Sequence, residues 1–379
     1  MKIAILGAGI AGLSTGIALN KLGIKYTIYE AAEKIGPVGA GLGLGANAIK
    51  AFKELGIENE VIKAGRILSA FSIYDENGKI ITRADSLKIS AKYGIDNFTI
   101  HRYSLHDVLL KNAGPENVIC NKRCVDYYES NNKIYLKFSD NTEAEADYLI
   151  VADGLNSPIR KKLLPSSNPR FAGYTCWRAV VPAEGLNINE AMEIWGSNGR
   201  IGIVPLANNQ IYWFLCINSI QNNQSMRAFK TKDLLERFID YPQIVKDVLK
   251  RTDDSKLIWG DICDLKPINS FAFGKVLLIG DAGHATTPNL GQGACQAVED
   301  AVVLGKIIHR NENISEAFTE FESKRLKRTH FVVNKSWQIG KVAQWDKGLA
   351  IKFRNFILRS LPESFNEKQL EFLYNVNFD

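Results

Sequence analysis

The chain has 379 residues, 46% hydrophobic and 23% charged, with a formal net charge of +6; that is enough for about two domains with full cores and a globular composition. Its Lys and Arg residues are scattered, which argues against a nucleic-acid partner, and no apolar run reaches the ~18 to 20 residues of a bilayer span. Six cysteines, at 120, 124, 176, 216, 263 and 295, form no C-x-x-C pair and have no nearby His at metal-ligand spacing, so no metal is expected and the thiols read as reduced, in a cytoplasmic protein.

The first twenty residues are apolar enough to suggest a signal peptide, but they carry glycines at phosphate-turn spacing and read as folded structure. Lys2 to Leu6 is a short apolar strand, Ile10 to Leu22 a helix, and Tyr26 to Tyr29 a second strand ending at Glu30. A glycine-dense loop over 36–45 precedes a helix from Ala46 to Leu55, closed by Gly56. Ser104 reads as the cap of a helix through Leu110, with Arg102 just before it. From Asn117 to Asp153 the pattern changes to short strands: Val118 to Cys120, Arg123 to Glu129, Lys133 to Ser139 and Tyr148 to Ala152, with Asp140-Asn141 as a turn. Phe171 to Ile217 continues in the same style, through Trp177 to Val181, Arg200 to Pro205 and Gln210 to Ile217, which suits an antiparallel sheet. Lys232 to Arg251 reads as helical, Val276 to Ile308 returns to a parallel strand and helix, and the chain from Ile314 onward is mainly helical. On Trp345 to Leu361, Leu349, Phe353 and Phe356 share one helical face ringed by Lys347, Lys352, Arg354 and Arg359; a helix packed on the body of the protein is the expected outcome, and a membrane-surface helix the alternative.

Three segments carry chemistry. The first, Gly7-Ala8-Gly9-Ile10-Ala11-Gly12, follows a strand and opens a helix. Gly7 permits the tight turn, Gly9 lets the backbone approach a pyrophosphate, Gly12 allows close packing, and the helix N-terminus offers N–H donors to the anion. Glu30, eighteen residues on, is placed to accept hydrogen bonds from ribose hydroxyls. The second segment runs from Tyr148 into Asp153-Gly154, then Ser157 and Arg160, which either tie Asp153 in place or reach a phosphate. The third, Gly280-Asp281 through Gly293-Ala294, places an acidic residue at a strand end and a glycine-rich loop before a helix. Two ligand-facing turns at opposite ends of the chain imply one long ligand, and a flavin dinucleotide has that shape.

In order and separation these segments resemble class A flavoprotein monooxygenases, over about residues 1 to 360. The runs Gly39-Ala40-Gly41-Leu42-Gly43-Leu44 and Asn289-Leu290-Gly291-Gln292-Gly293-Ala294-Cys295 are most similar to the branch of zeaxanthin epoxidase, salicylate hydroxylase-like enzymes and FAD-dependent urate hydroxylase. The resemblance implies an α/β fold: a Rossmann-like FAD-binding domain of the glutathione-reductase-2 type, a β-rich substrate domain inserted into it, and a C-terminal helical segment. The expected boundaries are 1–70, 98–168 and 266–312 for the discontinuous FAD-binding domain, 71–97 and 169–265 for the substrate domain, and 313–379 for the C-terminal helices.

The resemblance also implies roles. Gly7, Gly9, Ala11, Gly12, Glu30, Ala31 and Gly43 would contact FAD; Arg102 would reach its pyrophosphate and Val125 its adenine. Asp281 would bond the ribityl or ribose side, while Asp153 and Arg160 would help hold FAD or the incoming nicotinamide nucleotide. Pro288 would sit against the isoalloxazine, and Gly291, Gly293 and Ala294 would aim a helix N-terminus at its N1–C2=O edge. Arg200 and Tyr212 match, by register from Pro205, an Arg and a Tyr that face substrate in the urate hydroxylase branch, with an exposed strand-start Arg and a core Tyr as the alternative; Trp177 and Arg178 are a second candidate pair with a similar alternative. His284 reads as a loop-ordering residue. Two departures stand out: Gly36, where many relatives carry Arg, and Cys295, where aromatic hydroxylases often carry Asn.

The implied reaction consumes NADH or NADPH and inserts one atom of O2, by way of a C4a-hydroperoxyflavin, into a small aromatic or heteroaromatic substrate. A flavin dehydrogenase without oxygen insertion is one alternative. A noncatalytic carrier like the prenyl-protein chaperones of small GTPases is another, although such a carrier should lack the intact Pro288 to Gly293 loop. The expected assembly is a monomer or homodimer, with no nucleic-acid partner and no integral membrane segment.

Overall fold

A computed structural model describes residues 1–36, 40–361 and 370–378; Gly39, at the head of the second glycine run, lies outside them. The apolar strand Lys2–Leu6 sits at the centre of a six-stranded sheet in the order Ala272–Phe273, Val276–Leu278, Tyr148–Val151, Lys2–Leu6, Lys25–Tyr29, Val118–Ile119. All neighbours in it are parallel except the 272–278 hairpin. The Ile10–Lys21 and Gly293–Arg310 helices pack on one face, and their apolar side chains join Ile3, Ile5, Ile28 and Ile150 in the largest core cluster. On the other face, Leu6, Leu149 and Val151 pack against Ile134, Leu136 and Phe138 of a three-stranded antiparallel sheet. All three chemistry-bearing turns therefore leave the C-terminal ends of adjacent parallel strands, where ligands of open α/β sheets gather.

A seven-stranded sheet follows the order Ile258–Leu265, Pro169–Pro182, Gln210–Asn218, Gly199–Leu206, Ala191–Gly196, Ala70–Asp75, Ile80–Asp85. Its period-two alternation separates two faces. Trp177, Ala179, Trp213, Leu215, Ile201 and Ile203 are buried against Leu234, Phe238, Val245 and Leu249 of two short helices. The intervening residues, including Cys176, Arg178, Tyr212, Phe214 and Arg200, line a large cavity on the opposite side. The C-terminal helices, Ile314–Ala343 and Gly348–Ser360, close over the assembly.

Several expectations from sequence change. The 102–113 helix starts at Arg102, and His101 rather than Ser104 caps it, with Nδ1 accepting from the Tyr103 N–H at 3.2 Å. The expected 232–251 helix is two, Thr231–Arg237 and Gln243–Lys250, because Pro242 cannot continue the first. The hydrophilic strand Glu143–Ala146 was not legible as one; it exists by pairing with Lys133–Phe138, turning Ala146 inward and its glutamates outward. On the Gly348–Ser360 helix Ile351, Arg354 and Asn355 are buried, while Leu349, Phe353 and Phe356 are 85%, 60% and 70% exposed. The helix is packed on the body through one face and open on the other. No helix among the described residues is long and apolar enough to cross a membrane.

Candidate active site

One cavity of about 2320 Å³ runs from the three turns to the seven-stranded sheet. Pockets for a single ligand span about 300–1,000 Å³, so this space accommodates more than one. Its first half is built from backbone. Gly7 has φ +92°, and a Cβ there would lie 2.5 Å from the Ala152 carbonyl oxygen; a Cβ on Gly12 would lie 2.0 Å from that of Gly7. Gly9 faces open space, with nothing within 4 Å of where a Cβ would stand. The Ile10–Lys21 helix begins beside it with no side-chain cap and no acidic residue in its first turn, so its N–H groups remain available to an anion. Glu30 spans the turn: Oε2 accepts from the Ala8 N–H at 2.7 Å and Oε1 from that of Ala32 at 2.8 Å.

Asp153 lines the cavity with Oδ1 buried and unpartnered. Burial pushes its carboxyl up to about 6, against the opposing pull of Ser157 and Arg160. Asp281 opens onto the same space within walls of protein; desolvation raises its carboxyl, while His284 and Arg102 pull it down. Ala11, Ala31, Gly43, Arg102 and Val125 also line this half. Arg160, expected near the ligand, does not. It is 1% exposed and donates to the carbonyls of Leu155 at 2.5 Å and Ala282 at 3.2 Å, so it staples the Asp153 turn to the Asp281 turn from behind.

The third turn is held by a network that sequence reasoning missed apart from His284. Asp300 Oδ2 receives the Gly280 N–H at 2.8 Å and lies 2.6 Å from His284 Nε2, while its Oδ1 receives Arg325 Nε at 2.7 Å. Burial opposes the charge of Asp300, but His284 and Arg325 outweigh it and hold the carboxyl down at about 2. The His284 side chain is thus spent on ordering the loop. Beyond it, Pro288–Leu290 forms a single 3-10 turn and Gly291 takes φ +62°. The Gly293–Arg310 helix then starts with no side-chain cap and no acid in its first turn. Pro288, Gly291, Gly293 and Ala294 all line the cavity. The orphan Asp153 oxygen, the open space over Gly9 and two uncapped helix N-termini fit a long anionic ligand bearing hydroxyl groups.

Across the cavity stands the seven-stranded sheet. Arg200 is 2% exposed and held at two of its nitrogens: Nη1 lies 3.3 Å from Glu193 Oε2 and Nη2 bonds Asn289 Oδ1, while Nε is buried without a partner. Asn289 Nδ2 in turn donates to the Ser336 carbonyl at 3.0 Å and Thr287 Oγ1 at 2.9 Å, with the Tyr174 hydroxyl 3.1 Å away. Arg200 therefore clamps the loop that carries Pro288. Tyr212 lines the cavity, and its ring packs where a Cβ on Gly41 would stand, at 2.6 Å, which joins the glycine-rich strand Gly41–Leu44 to the sheet. Burial keeps its phenol protonated. Trp177 faces the opposite core, whereas Arg178, one residue on, lines the cavity close enough to Cys176 and Tyr212 to influence both.

Comparison with known proteins agrees with this geometry. Residues 1–336 match the family described as FAD binding domain. The chain is 34% identical to the aurachin C monooxygenase/isomerase of Stigmatella aurantiaca, over 95% of this chain and 94% of that protein. It is 29% identical to the 2-heptyl-3-hydroxy-4(1H)-quinolone synthase of Pseudomonas aeruginosa, over 96% and 95%. Among solved structures, Klebsiella pneumoniae HpxO complexed with FAD and uric acid superposes with a TM-score of 0.90 at 27% identity, covering 99% of this chain and 97% of that one.

Proposed function

This chain belongs to the FAD binding domain family, and from that premise we propose how its site works as an FAD-dependent, NAD(P)H-consuming monooxygenase on an aromatic or heteroaromatic substrate. The observation that carries the reading is a single cavity with a dinucleotide cradle at one end and a polar, aromatic sheet face at the other. Bound FAD supplies the redox chemistry, accepting a hydride from NADH or NADPH and activating O2 for transfer of one oxygen atom.

The protein's contribution is position and electrostatics. The turn at Gly7 to Gly12 would hold the pyrophosphate through backbone N–H groups, helped by Arg102, and Glu30 would receive ribose hydroxyls once the Ala8 and Ala32 N–H groups share it. Val125 would lie against the adenine beside Ala31, and Asp281 with Asp153 Oδ1 would accept from the sugar chain. The uncapped start of the Gly293–Arg310 helix would place positive potential at the flavin's anionic edge, next to Gly43 and Gly291. Arg200 would act through Asn289, fixing the loop that carries Pro288, while its Nε, buried without a partner, stays available on the cavity wall. Arg178 and the protonated Tyr212, which line the same space, would take the substrate's carbonyl or oxyanion oxygen.

A cofactor unit of 1–70, 98–168 and 266–312, a substrate unit of 71–97 and 169–265, and C-terminal helices over 313–379 fit this division of labour. The six free cysteines support work in a reducing cytoplasm, as a monomer or homodimer. The quinolone product of the Pseudomonas aeruginosa synthase and the uric acid bound to Klebsiella pneumoniae HpxO favour a nitrogen heterocycle. The test is substrate-stimulated NAD(P)H oxidation under 18O2 with product mass: one 18O per product is expected, and oxidised product without it would favour the dehydrogenase alternative.

A further inference from the structure

Beyond the Ala191–Gly196 strand, the seven-stranded sheet ends in the hairpin Ala70–Asp75 and Ile80–Asp85. This hairpin contributes Ile73, Ile81 and Ala84 to the same cavity that holds Arg178, Tyr212 and Asn289. Opposite them, Leu358 of the Gly348–Ser360 helix and Leu361 just after it complete the wall. Ile81 and Trp195 are buried, with Ile73 and Leu358 packed against them. The helix is fastened to the hairpin by Arg359, whose Nε donates to the Ile80 carbonyl at 2.9 Å and Nη2 to Asp75 Oδ2 at 2.6 Å.

The charged hairpin side chains on this cavity, Arg83 and Asp85, are engaged as well. Arg83 pairs with Glu190 at 2.9 Å, and Asp85 caps the helix that follows, accepting from the N–H groups of Leu87 and Lys88. Beside these engaged groups and the Thr82 hydroxyl, the side chains lining this part of the cavity are the hydrocarbon of Ile73, Ile81, Ala84, Leu358 and Leu361, a surface that rewards an apolar ligand group over a polar one. The arm is continuous with the aromatic sheet face, so one molecule can occupy both.

We propose that this arm is a hydrocarbon-chain subsite and that the substrate is an amphiphile, with an aromatic or heteroaromatic head at Arg178 and Tyr212 and an alkyl chain along the wall that the hairpin and the Gly348–Ser360 helix form together. The head assignment rests on the monooxygenase reading; the chain subsite stands on the apolar side chains Ile73, Ile81, Ala84, Leu358 and Leu361.

The probe is a series of 2-alkyl-4(1H)-quinolones from methyl to nonyl, with Kd read from flavin fluorescence of the holoenzyme and product mass read under 18O2. Kd should fall roughly two- to fourfold per added methylene until the arm is filled. Ala84→Trp should flatten the series while keeping FAD content and the affinity of the shortest homologue; Leu358→Gln serves the same purpose if the tryptophan variant does not fold. A Kd independent of chain length, a slope unchanged in the folded variants, or no binding across the whole series would each overturn the subsite. Chain-length-dependent binding with no 18O in the product would leave the subsite standing and sink the monooxygenase reading instead.

Discussion

Asn289 is the residue on which cofactor loop, substrate sheet and C-terminal helix converge, and its position depends on a glycine. A Cβ on Gly340 would lie 2.3 Å from Asn289 Nδ2 and 3.1 Å from its Cγ. The Asn289 side chain is short and bonded at both ends, so it has no easy retreat. Gly340→Ala is therefore expected to displace Asn289, release Arg200 and lower kcat about tenfold or more, with FAD content unchanged, since positioning losses of an ångström have that scale; steady-state kinetics on FAD-replete enzyme measures it. Arg178→Met should instead raise KM by roughly 10- to 100-fold, the range for losing a charge-assisted hydrogen bond, with a smaller effect on kcat. Asp153 carries a pH signature. Its folded carboxyl is raised to about 6 from an ordinary value of 3.8, so the native state holds the proton more tightly and stability falls as pH rises between those two values. Asp153→Asn in the apoprotein should show no gain at pH 3.5 and a gain growing through that window to a plateau above pH 6, of about 1–3 kcal/mol after allowance for partial solvent access. Urea titrations at several pH values would show it, and a gain independent of pH would refute the assignment.

At the scale of elements, the Gly293–Arg310 helix presents its N-terminus to the cavity while carrying two buried carboxylates, Glu299 and Asp300. Arg325, from the Ile314–Ala343 helix, meets both at 2.7 Å and also donates to Gln296 Oε1; Arg328 adds a second cation to Glu299 at 2.6 Å. Removing one partner of a buried cluster strands the other charges. Arg325→Ala should cost about 3–5 kcal/mol and weaken FAD binding, because Asp300 also anchors Gly280 and His284; a thermal melt with FAD quantified in the same sample checks both. Elements of this kind were only partly legible from sequence. Lys2–Leu6 and Ala46–Leu55 were readable to the residue because local signals agree: an apolar strand before a phosphate turn, and a helical pattern closed by a glycine at φ +81°. Glu143–Ala146 was not, since it owes its strand state to its neighbour. Arg200 was found by register, but its role was hidden, because Glu193 and Asn289 lie 7 and 89 residues away. Arg178 and Trp177 differ by one step of a period-two strand, and which one faces the cavity depends on which side the short helices cover.

At the scale of the whole molecule, the proposed cofactor cradle draws on cavity-lining residues Gly7 and Glu30 from the start of the chain, Asp153 from its middle and Gly293 from its end. These segments are separated by the strands of the other sheet, so a ligand touching all of them binds only when the chain is globally folded. FAD should then stabilise the protein by mass action, by about 2.7 kcal/mol when free FAD stands at 100 times its Kd. The shift should appear as one cooperative transition, including in tryptophan fluorescence from Trp177 and Trp213, which lie in the core behind the substrate sheet. Gly12→Ala discriminates a specific from a general effect. Its methyl group would sit 2.0 Å from the Gly7 carbonyl oxygen, distorting the pyrophosphate turn while leaving the seven-stranded sheet untouched. The variant should therefore lose the FAD-dependent shift, yet the apoprotein should keep the tryptophan signal of an intact sheet. If FAD moved only the flavin-side transition and left the tryptophan transition in place, the two sheets would be unfolding independently. The cavity wall they share, joined at Gly41 against Tyr212 and at Asn289 against Arg200, would then be too weak a coupling to transmit cofactor binding to the substrate face.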